Sequence, residues 1–195
     1  MSDKYLTITE QIGEGYYTEK RSKFLAFAHH VTTKEQVRAF VDQYRKRYYD
    51  ARHVCYAYML GADRTDFRAN DDGEPSSTAG KPILGQINSR ELSDVLVVVV
   101  RYYGGVNLGT GGLIVAYRSA ASDALENTVV VEKQVEEVVK HDFSYAEMND
   151  VMRVVKEMSP RIVSQVFDNT CTIELAIRRS EAEMLRNKLQ QIAFK

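Results

Sequence analysis

The chain has 195 residues, of which 44% are hydrophobic and 27% are charged, with a formal net charge of -1. This composition is typical of a soluble globular protein with a hydrophobic core, and the near-neutral charge excludes binding to nucleic acid through bulk positive charge. The N-terminus predicts no secretory or transit peptide, and the longest apolar run, Val95 to Val100, is far shorter than the roughly 20 residues of a membrane helix. We therefore expect a cytoplasmic protein without a membrane partner, with Cys55 and Cys171 as reduced thiols.

The first third of the chain predicts strands around one amphipathic helix. Residues 19–29 form a strand candidate. Thr33 and Gln36 have the spacing of a capping box, and apolar residues at helical spacing follow them. His53 to Leu60 predicts a further strand, with Phe67 to Asn70 as its hairpin partner.

The middle of the chain predicts a loop, a short helix, a buried strand and a long helix. Asp71 to Ile87 is rich in glycine and proline, so a short helix is expected only from about Ser77 or Thr78 onward. Val95 to Val100 is an unbroken run of five valines and a leucine, which predicts a strand buried on both faces. After the glycine cluster that ends at Gly112, apolar residues recur every fourth position and predict a helix that begins there.

The remainder of the chain contains no glycine and has a strongly periodic pattern. Val129 to Tyr145 predicts one or two strands, and the apolar stripe from Met148 to Met158 predicts a helix. Apolar and polar residues alternate along residues 161–167 and 171–177, which predicts the two strands of a hairpin. Ser180 and Glu183 have the spacing of a second capping box, which would open a last helix.

The order strand–helix–strand–strand–helix is that of a ferredoxin-like split βαβ unit. Its fourth strand would fall at residues 193–195. We therefore predict an α+β chain of two domains, residues 1–132 and residues 133–195.

The glycine-rich segment after the buried strand is a candidate anion site. Arg101 ends the strand, and the glycines that follow are Gly104, Gly105, Gly109, Gly111 and Gly112. Glycine lets a ligand approach the backbone, and the free N–H groups of a helix N-terminus attract anions. The spacing matches neither the dinucleotide fingerprint nor the P-loop. Two interpretations stay open: the glycines serve positive φ and tight packing, or they admit a phosphate or a partner's backbone.

The loop that contains Asp71, Asp72 and Glu74 is a second candidate. Three carboxylates within four residues can bind Mg²⁺ or act as acid and base. The alternative is a solvated turn that ends in a helix cap. Hydroxyl residues and Lys81 follow the carboxylates, which is the composition of a weak anion cradle.

His53 and Cys55 lie two residues apart, so a strand would place them on one face. Neither zinc-site nor deaminase spacing is present, and a packing or hydrogen-bonding role is the simpler interpretation. Basic residues alternate with aromatic residues around Lys20–Phe24 and at Tyr44–Tyr49. Such clusters can hold phosphates and stack bases, or they can form the charged face of an amphipathic helix.

The stretches DARHVCYAY, DDGEPSSTAGKPIL and VVVVRYYGGVNLGTGGLIVAYRSAA together resemble the IMPACT family, in particular its bacterial members. The similarity covers roughly Lys20 to Leu125. Ser77 stands where the common form of the motif has glycine.

The resemblance implies a fold for each domain and a role in translation. The N-terminal domain would have the left-handed βαβ fold of a ribosomal small-subunit protein and of the fourth domain of a translocating elongation factor. The C-terminal domain would resemble the fifth domain of that factor. Eukaryotic relatives are implied to restrain the amino-acid-starvation kinase of translation initiation by competing for its activator. The resemblance supplies no catalytic residue for bacterial members.

The leading hypothesis is a non-enzymatic, translation-associated regulator that binds RNA, the ribosome or a translation protein. Its candidate binding residues are Lys23, His53, Asp72, Glu74, Lys81, Arg101, Gly104, Gly105, Gly109, Gly111 and Gly112, with no catalytic residue, metal or cofactor. The first alternative is an enzyme that uses the Asp71–Glu74 loop and the glycine segment on a small phosphate-bearing substrate. A protein-only adaptor is a further alternative, which an exposed apolar patch without a basic pocket would favour.

Overall fold

The structure, a computed structural model, describes residues 3–168 and 170–192. It is a mixed α/β chain that divides into two compact units. One unit is Tyr5–Lys133, and the other comprises Met1–Lys4 and Gln134–Lys195.

The first unit is built on a five-stranded antiparallel sheet with the order β2-β3-β6-β4-β5. A separate two-stranded sheet pairs β1 with β7. The strands are β1 (Lys4–Ile8), β2 (Gly13–Glu19), β3 (Ser22–His30), β4 (His53–Leu60), β5 (Asp66–Asn70), β6 (Val95–Tyr102) and β7 (Val130–Gln134). The helices are α1 (Lys34–Arg47), α2 (Gly80–Ser89) and α3 (Gly109–Glu126).

Strand β6 lies at the centre of the five-stranded sheet, between β3 and β4, and residues Val95–Val100 are fully buried. Its side chains alternate between two hydrophobic cores. Val95, Val97 and Val99 pack with α2 and α3 on one face, and Leu96, Val98 and Val100 pack with α1 on the other. Helices cover both faces, which explains the continuous apolar run and confirms the prediction of a strand buried on both sides.

Several local predictions in this unit are confirmed. Thr33 and Gln36 form the capping box of α1, β4 has the predicted bounds, and β5 is its hairpin partner. The predicted start of α3 is wrong by one turn, because the helix begins at Gly109 and includes Gly111 and Gly112. Leu108 and Leu113 pack on the core at this end of the helix, and this packing outweighs the low helix propensity of glycine.

The second unit contains a three-stranded antiparallel sheet with the order β8-β10-β9. Its elements are β8 (Glu136–Phe143), a short 3₁₀ turn (Tyr145–Glu147), α4 (Met148–Met158), β9 (Arg161–Phe167), β10 (Cys171–Arg178) and α5 (Arg179–Gln190). The predicted order strand–helix–strand–strand–helix is therefore present. The two helices cover one face of the sheet, where Val151, Ile173 and Leu185 lie fully buried in the core of this unit.

Two predictions for the C-terminal end have different outcomes. The second capping box is wrong, because α5 begins at Arg179, directly after β10, and Ser180 lies inside its first turn. The Ser180 backbone N–H donates instead to the Asp3 carboxylate at 3.1 Å. The predicted fourth strand, at residues 193–195, lies outside the described residues. Within residues 3–168 and 170–192, no helix is long and apolar enough to cross a membrane.

Candidate functional site

A cavity of about 500 Å³ lies where β6 ends and α3 begins. The sheet register places His53 of β4 directly opposite Arg101 of β6, and both line the cavity. The turn after β5 contributes Glu74, and the first turn of α3 contributes Gly109 and Thr110. Four predicted site residues, from three separate sequence segments, thus meet in one place.

Glu74 and Arg101 form a buried ion pair at the wall of this cavity. Arg101 Nη1 donates to Glu74 Oε1 at 2.5 Å, and the two side chains are 7% and 3% exposed, respectively. The hydroxyl of Tyr117, a fully buried residue of α3, donates to the same oxygen at 2.7 Å. Burial and the neighbouring Cys55 and Glu74 groups raise the pKa of Tyr117. Tyr117 is therefore a neutral donor that fixes the carboxylate of Glu74.

The guanidinium of Arg101 is only partly satisfied by the protein. Its Cζ lies 5.6 Å from the ring centroids of both Phe24 and Tyr103, a distance typical of cation–π contacts. Its Nε is buried and has no acceptor among the described residues. A buried donor without a partner is uncommon and costs free energy.

The orientation of His53 is fixed by the acidic loop. Its Nδ1 lies 2.7 Å from the backbone carbonyl oxygen of Asp72, and its Nε2 lies 3.6 Å from Glu74 Oε2. A carbonyl oxygen can only accept, so Nδ1 carries the proton in that bond. Nε2 is therefore the ring nitrogen that is directed towards Glu74.

The carboxylates of Asp71 and Asp72 are used within the loop itself. Asp71 accepts from the backbone N–H groups of Ser77, Ala79 and Gly80 at 2.8 to 3.1 Å, at the start of α2. Asp72 accepts from the N–H of Val54 at 2.7 Å and from an Arg45 nitrogen at 3.0 Å. The interpretation of this loop as a turn that ends in a helix cap therefore describes Asp71 well. The side chain of Asp72 is not part of the cavity lining.

Cys55 extends the same buried network and has no sign of reactivity. Its Sγ lies 3.1 Å from the carbonyl oxygen of Asp71 and 3.4 Å from the hydroxyl of Tyr117. Burial raises the pKa of the Cys55 thiol. A neutral, enclosed thiol is a poor nucleophile, so Cys55 serves packing and hydrogen bonding.

Two basic residues predicted for the site lie elsewhere. Lys23 is exposed and alternates with Phe24, so it projects from the face of β3 opposite to Phe24 and its neighbour Arg101. Lys81 is exposed in the first turn of α2 and does not line the cavity. Strand pairing decides these positions, and one sequence alone does not reveal which strands pair.

The five glycines have different structural roles, and only Gly109 lines the cavity. A Cβ at Gly104 would lie 2.2 Å from the backbone carbon of Arg21, so this glycine permits close packing of two chain segments. Gly105 and Gly109 have positive φ, of 84° and 70°. Gly111 and Gly112 lie in the first turn of α3 and line a neighbouring, smaller pocket that includes Lys20.

The sequence did not predict several residues of the cavity region as site residues, among them Tyr117, Arg52 and Thr110. Tyr117 appeared only as part of the helical stripe, because its hydroxyl contact to Glu74 depends on tertiary packing. Arg52 and Thr110 line the cavity beside His53 and Gly109, and only their adjacency to those residues could have indicated it. No group of three or more His, Cys, Asp or Glu side chains in the described part of the chain is placed to hold a metal ion.

Comparison with known proteins identifies the family. The Impact N-terminal domain matches residues 20–125, which include the whole cavity lining. The chain belongs to the IMPACT family. The IMPACT family member YvyE of Bacillus subtilis is 35% identical over 80% of this chain and 72% of its own length. The IMPACT family member YigZ of Escherichia coli is 30% identical over 97% of this chain and 94% of its own length.

A solved structure is similar to this chain along nearly its whole length. The crystal structure of a hypothetical protein, 28% identical in sequence, superposes with a TM-score of 0.79. It covers 98% of this chain, and the match spans 93% of that protein. Both compact units therefore have a counterpart in a single solved chain.

Proposed function

We propose that this IMPACT-family protein acts in the cytoplasm as a non-enzymatic, translation-associated regulator that binds ribosomal RNA. The observation that carries the proposal is the match of residues 20–125 to the Impact N-terminal domain. The sequence resemblance to this family implies a role in translation. Because fold and family alone are weak guides to a partner, the contact surface has to be argued from this chain's own residues.

The hydrogen bonds made by Asp71 and Asp72 in the acidic loop support a binding role over acid–base catalysis. Asp71 caps α2 and Asp72 anchors the start of β4. Both carboxylates are thereby occupied by backbone N–H groups. Glu74 lines the cavity, but its negative charge is balanced by Arg101, whose Nη1 lies 2.5 Å from the Glu74 carboxylate.

The last turn of α1 supplies a basic and aromatic surface suited to RNA. Arg45, Lys46 and Arg47 are the basic residues of this turn. Arg47 lies over the ring of Tyr48 at 5.3 Å, and Tyr49 is 86% exposed. Exposed aromatic rings stack with unpaired bases, and neighbouring cations bind the phosphate backbone.

The inferred domain architecture is consistent with such a partner. β3 and β4 are both antiparallel to β6, so they run parallel to each other, and α1 connects them. We infer that this connection is the left-handed βαβ crossover of the ribosomal-protein-like fold within residues 1–132. The β8-β10-β9 order supports a ferredoxin-like domain, similar to an elongation factor's fifth domain, within residues 133–195.

Ribosome binding tests the proposal directly. Co-sedimentation with purified ribosomal subunits should decrease as salt rises from about 50 to about 200 mM, because backbone contacts release counterions. The variant Lys46→Ala/Tyr49→Ala should lose most of this binding. The control Arg118→Ala/Tyr145→Ala removes one basic residue and one tyrosine from exposed positions elsewhere and should bind normally. Absence of salt-dependent binding, or equal binding by both double variants, would refute the RNA-binding function.

The cavity, with His53 and Glu74 in its lining, favours one second candidate, an enzyme that acts on a small phosphate-bearing substrate. His53 and Glu74 would then be the groups that handle protons. Turnover in a screen of phosphorylated metabolites, lost in His53→Ala, would establish this alternative. No turnover by the wild-type protein would leave only the binding function.

A further inference from the structure

Helix α3 begins at the cavity without a side-chain cap. The N-cap residue is Leu108, which offers no side-chain acceptor, and no acidic residue lies in the first turn. A helix of 18 residues carries about half a positive charge at its N-terminus. Gly109 and Thr110 of this first turn line the cavity, so the positive end of the helix dipole lies beside it.

Arg101 gives an independent indication of a missing acceptor. The residue is 5% exposed and lines the cavity, yet the only hydrogen bond of its side chain to a described residue is the Nη1 contact with Glu74. Its Nε has no partner within residues 3–168 and 170–192. A buried guanidinium normally satisfies its donors in a fork geometry with carboxylate or phosphate oxygens. Here a single carboxylate oxygen of Glu74 accepts from the Arg101 guanidinium, which has five N–H donors.

The charges around the cavity leave an excess of positive charge. Glu74 is the acidic residue of the lining, and it is balanced by Arg101. Arg52 and the N-terminus of α3 are then left without an opposing charge in the lining. Helix N-termini and arginine side chains together form sites for phosphate groups.

The size and shape of the cavity indicate more than an inorganic ion. A volume of about 500 Å³ falls within the range of roughly 300–1,000 Å³ found for small-molecule sites. Tyr103 lines the cavity and is 48% exposed, with Arg101 over one face of its ring. An exposed aromatic ring near a phosphate site is suited to stacking with a base.

We propose that this cavity binds a nucleoside 5′-phosphate group. The phosphate lies at the first turn of α3, between Arg101 and Arg52, and the base lies against Tyr103. This site is distinct from the basic and aromatic surface at the end of α1, and it does not depend on ribosome binding. The same chemistry is offered by a free nucleotide and by the phosphorylated 5′ end of an RNA.

Calorimetric titration with AMP, adenosine and inorganic phosphate tests the site. AMP should bind at least about tenfold more tightly than adenosine, since the phosphate provides the main contact. A 5′-phosphorylated RNA oligonucleotide, compared with its 5′-hydroxyl form, distinguishes the two sources. Binding of the phosphorylated oligonucleotide identifies an RNA end as ligand, and binding of AMP alone identifies a free nucleotide.

The variant Thr110→Asp separates ligand binding from folding. A carboxylate in the first turn stabilises a helix, so this variant should fold as well as the wild type. It also places a negative charge where the phosphate would lie, so AMP affinity should fall at least about tenfold. Asn149→Asp is the matched control, because Asn149 is exposed and occupies the same second position in α4. Its AMP affinity should equal that of the wild type.

Three results would overturn the proposal. The first is that AMP and adenosine bind equally well or not at all. The second is that Thr110→Asp retains the wild-type affinity for AMP. The third is that Asn149→Asp weakens binding as much as Thr110→Asp, which would indicate a general charge effect.

Discussion

The ion pair between Glu74 and Arg101 should be strongly coupled, and a double-mutant cycle measures the coupling. Glu74→Gln keeps the shape of the side chain and its hydrogen-bonding oxygen but removes the charge. Arg101→Met removes the guanidinium and keeps an unbranched apolar chain. Both side chains are at least nine-tenths buried, so each single variant leaves an unpaired charge in the protein interior.

The expected magnitudes follow from that burial. Removal of one partner of a buried pair costs about 3–5 kcal/mol in the free energy of unfolding, because the other charge stays desolvated. Independent effects would therefore sum to roughly 6–10 kcal/mol in the double variant. The double variant contains no buried charge at this site, so it should cost less than either single variant. We expect a coupling free energy of at least about 3 kcal/mol.

Urea unfolding followed by tyrosine fluorescence measures these values, since the chain has 12 tyrosines and no tryptophan. The exposed pair of Lys34 and Asp66, at 3.0 Å in the same unit, is the matched control. Its coupling in Lys34→Met/Asp66→Asn should be far smaller because solvent screens the charges. Additive costs for Glu74 and Arg101, within about 0.5 kcal/mol, would refute the buried-pair argument.

Three further predictions concern backbone geometry and pH. Gly104→Ala should lower the melting temperature, because the new Cβ would lie 2.2 Å from a backbone atom. Gly85 lies inside α2 with open space around it, so Gly85→Ala should raise the free energy of unfolding by up to about 1 kcal/mol. Ser77 has a φ of 64°, so Ser77→Gly should relieve part of a backbone strain of about 1–2 kcal/mol. Ser76→Gly is the control. A loss of stability in both variants would contradict the presence of strain at Ser77. Burial lowers the pKa of His29 from 6.5 to about 4. The unfolded chain therefore binds the proton first, and the stability from this group, present above about pH 6.5, is lost as the pH falls towards 4. Unfolding experiments in buffers across this range should show a smaller loss for His29→Gln; an equal loss would assign the pH dependence to other groups.

The sequence predicted elements best where the signal is local. The Thr33–Gln36 capping box, the bounds of β4 and the buried strand around Val97 all follow from periodicity or from contacts within a few residues. The start of α3 was missed because glycine has low helix propensity, and the packing of Leu108 and Leu113 that compensates for it is tertiary.

The candidate site was predictable in its residue types and not in its arrangement. Arg101, His53 and Glu74 were selected from three segments, and they do line one cavity. Lys23 was grouped with them, although strand alternation gives it the opposite face of the sheet. Asp71 shows the same limit, because its three backbone donors depend on how the loop folds back over the carboxylate.

The central position of β6 has a consequence for the lifetime of the site. Its amides pair with β3 on one side and β4 on the other, so they should exchange with solvent deuterium only when the whole unit unfolds. Arg101 belongs to this strand, and its carbonyl oxygen accepts the backbone N–H of Arg52 at 2.9 Å. Local fluctuations that open loops elsewhere would therefore leave Arg101 and the backbone of Arg52 in place. A ligand would meet a preformed cavity wall, and the entropy of ordering that wall would already have been lost during folding.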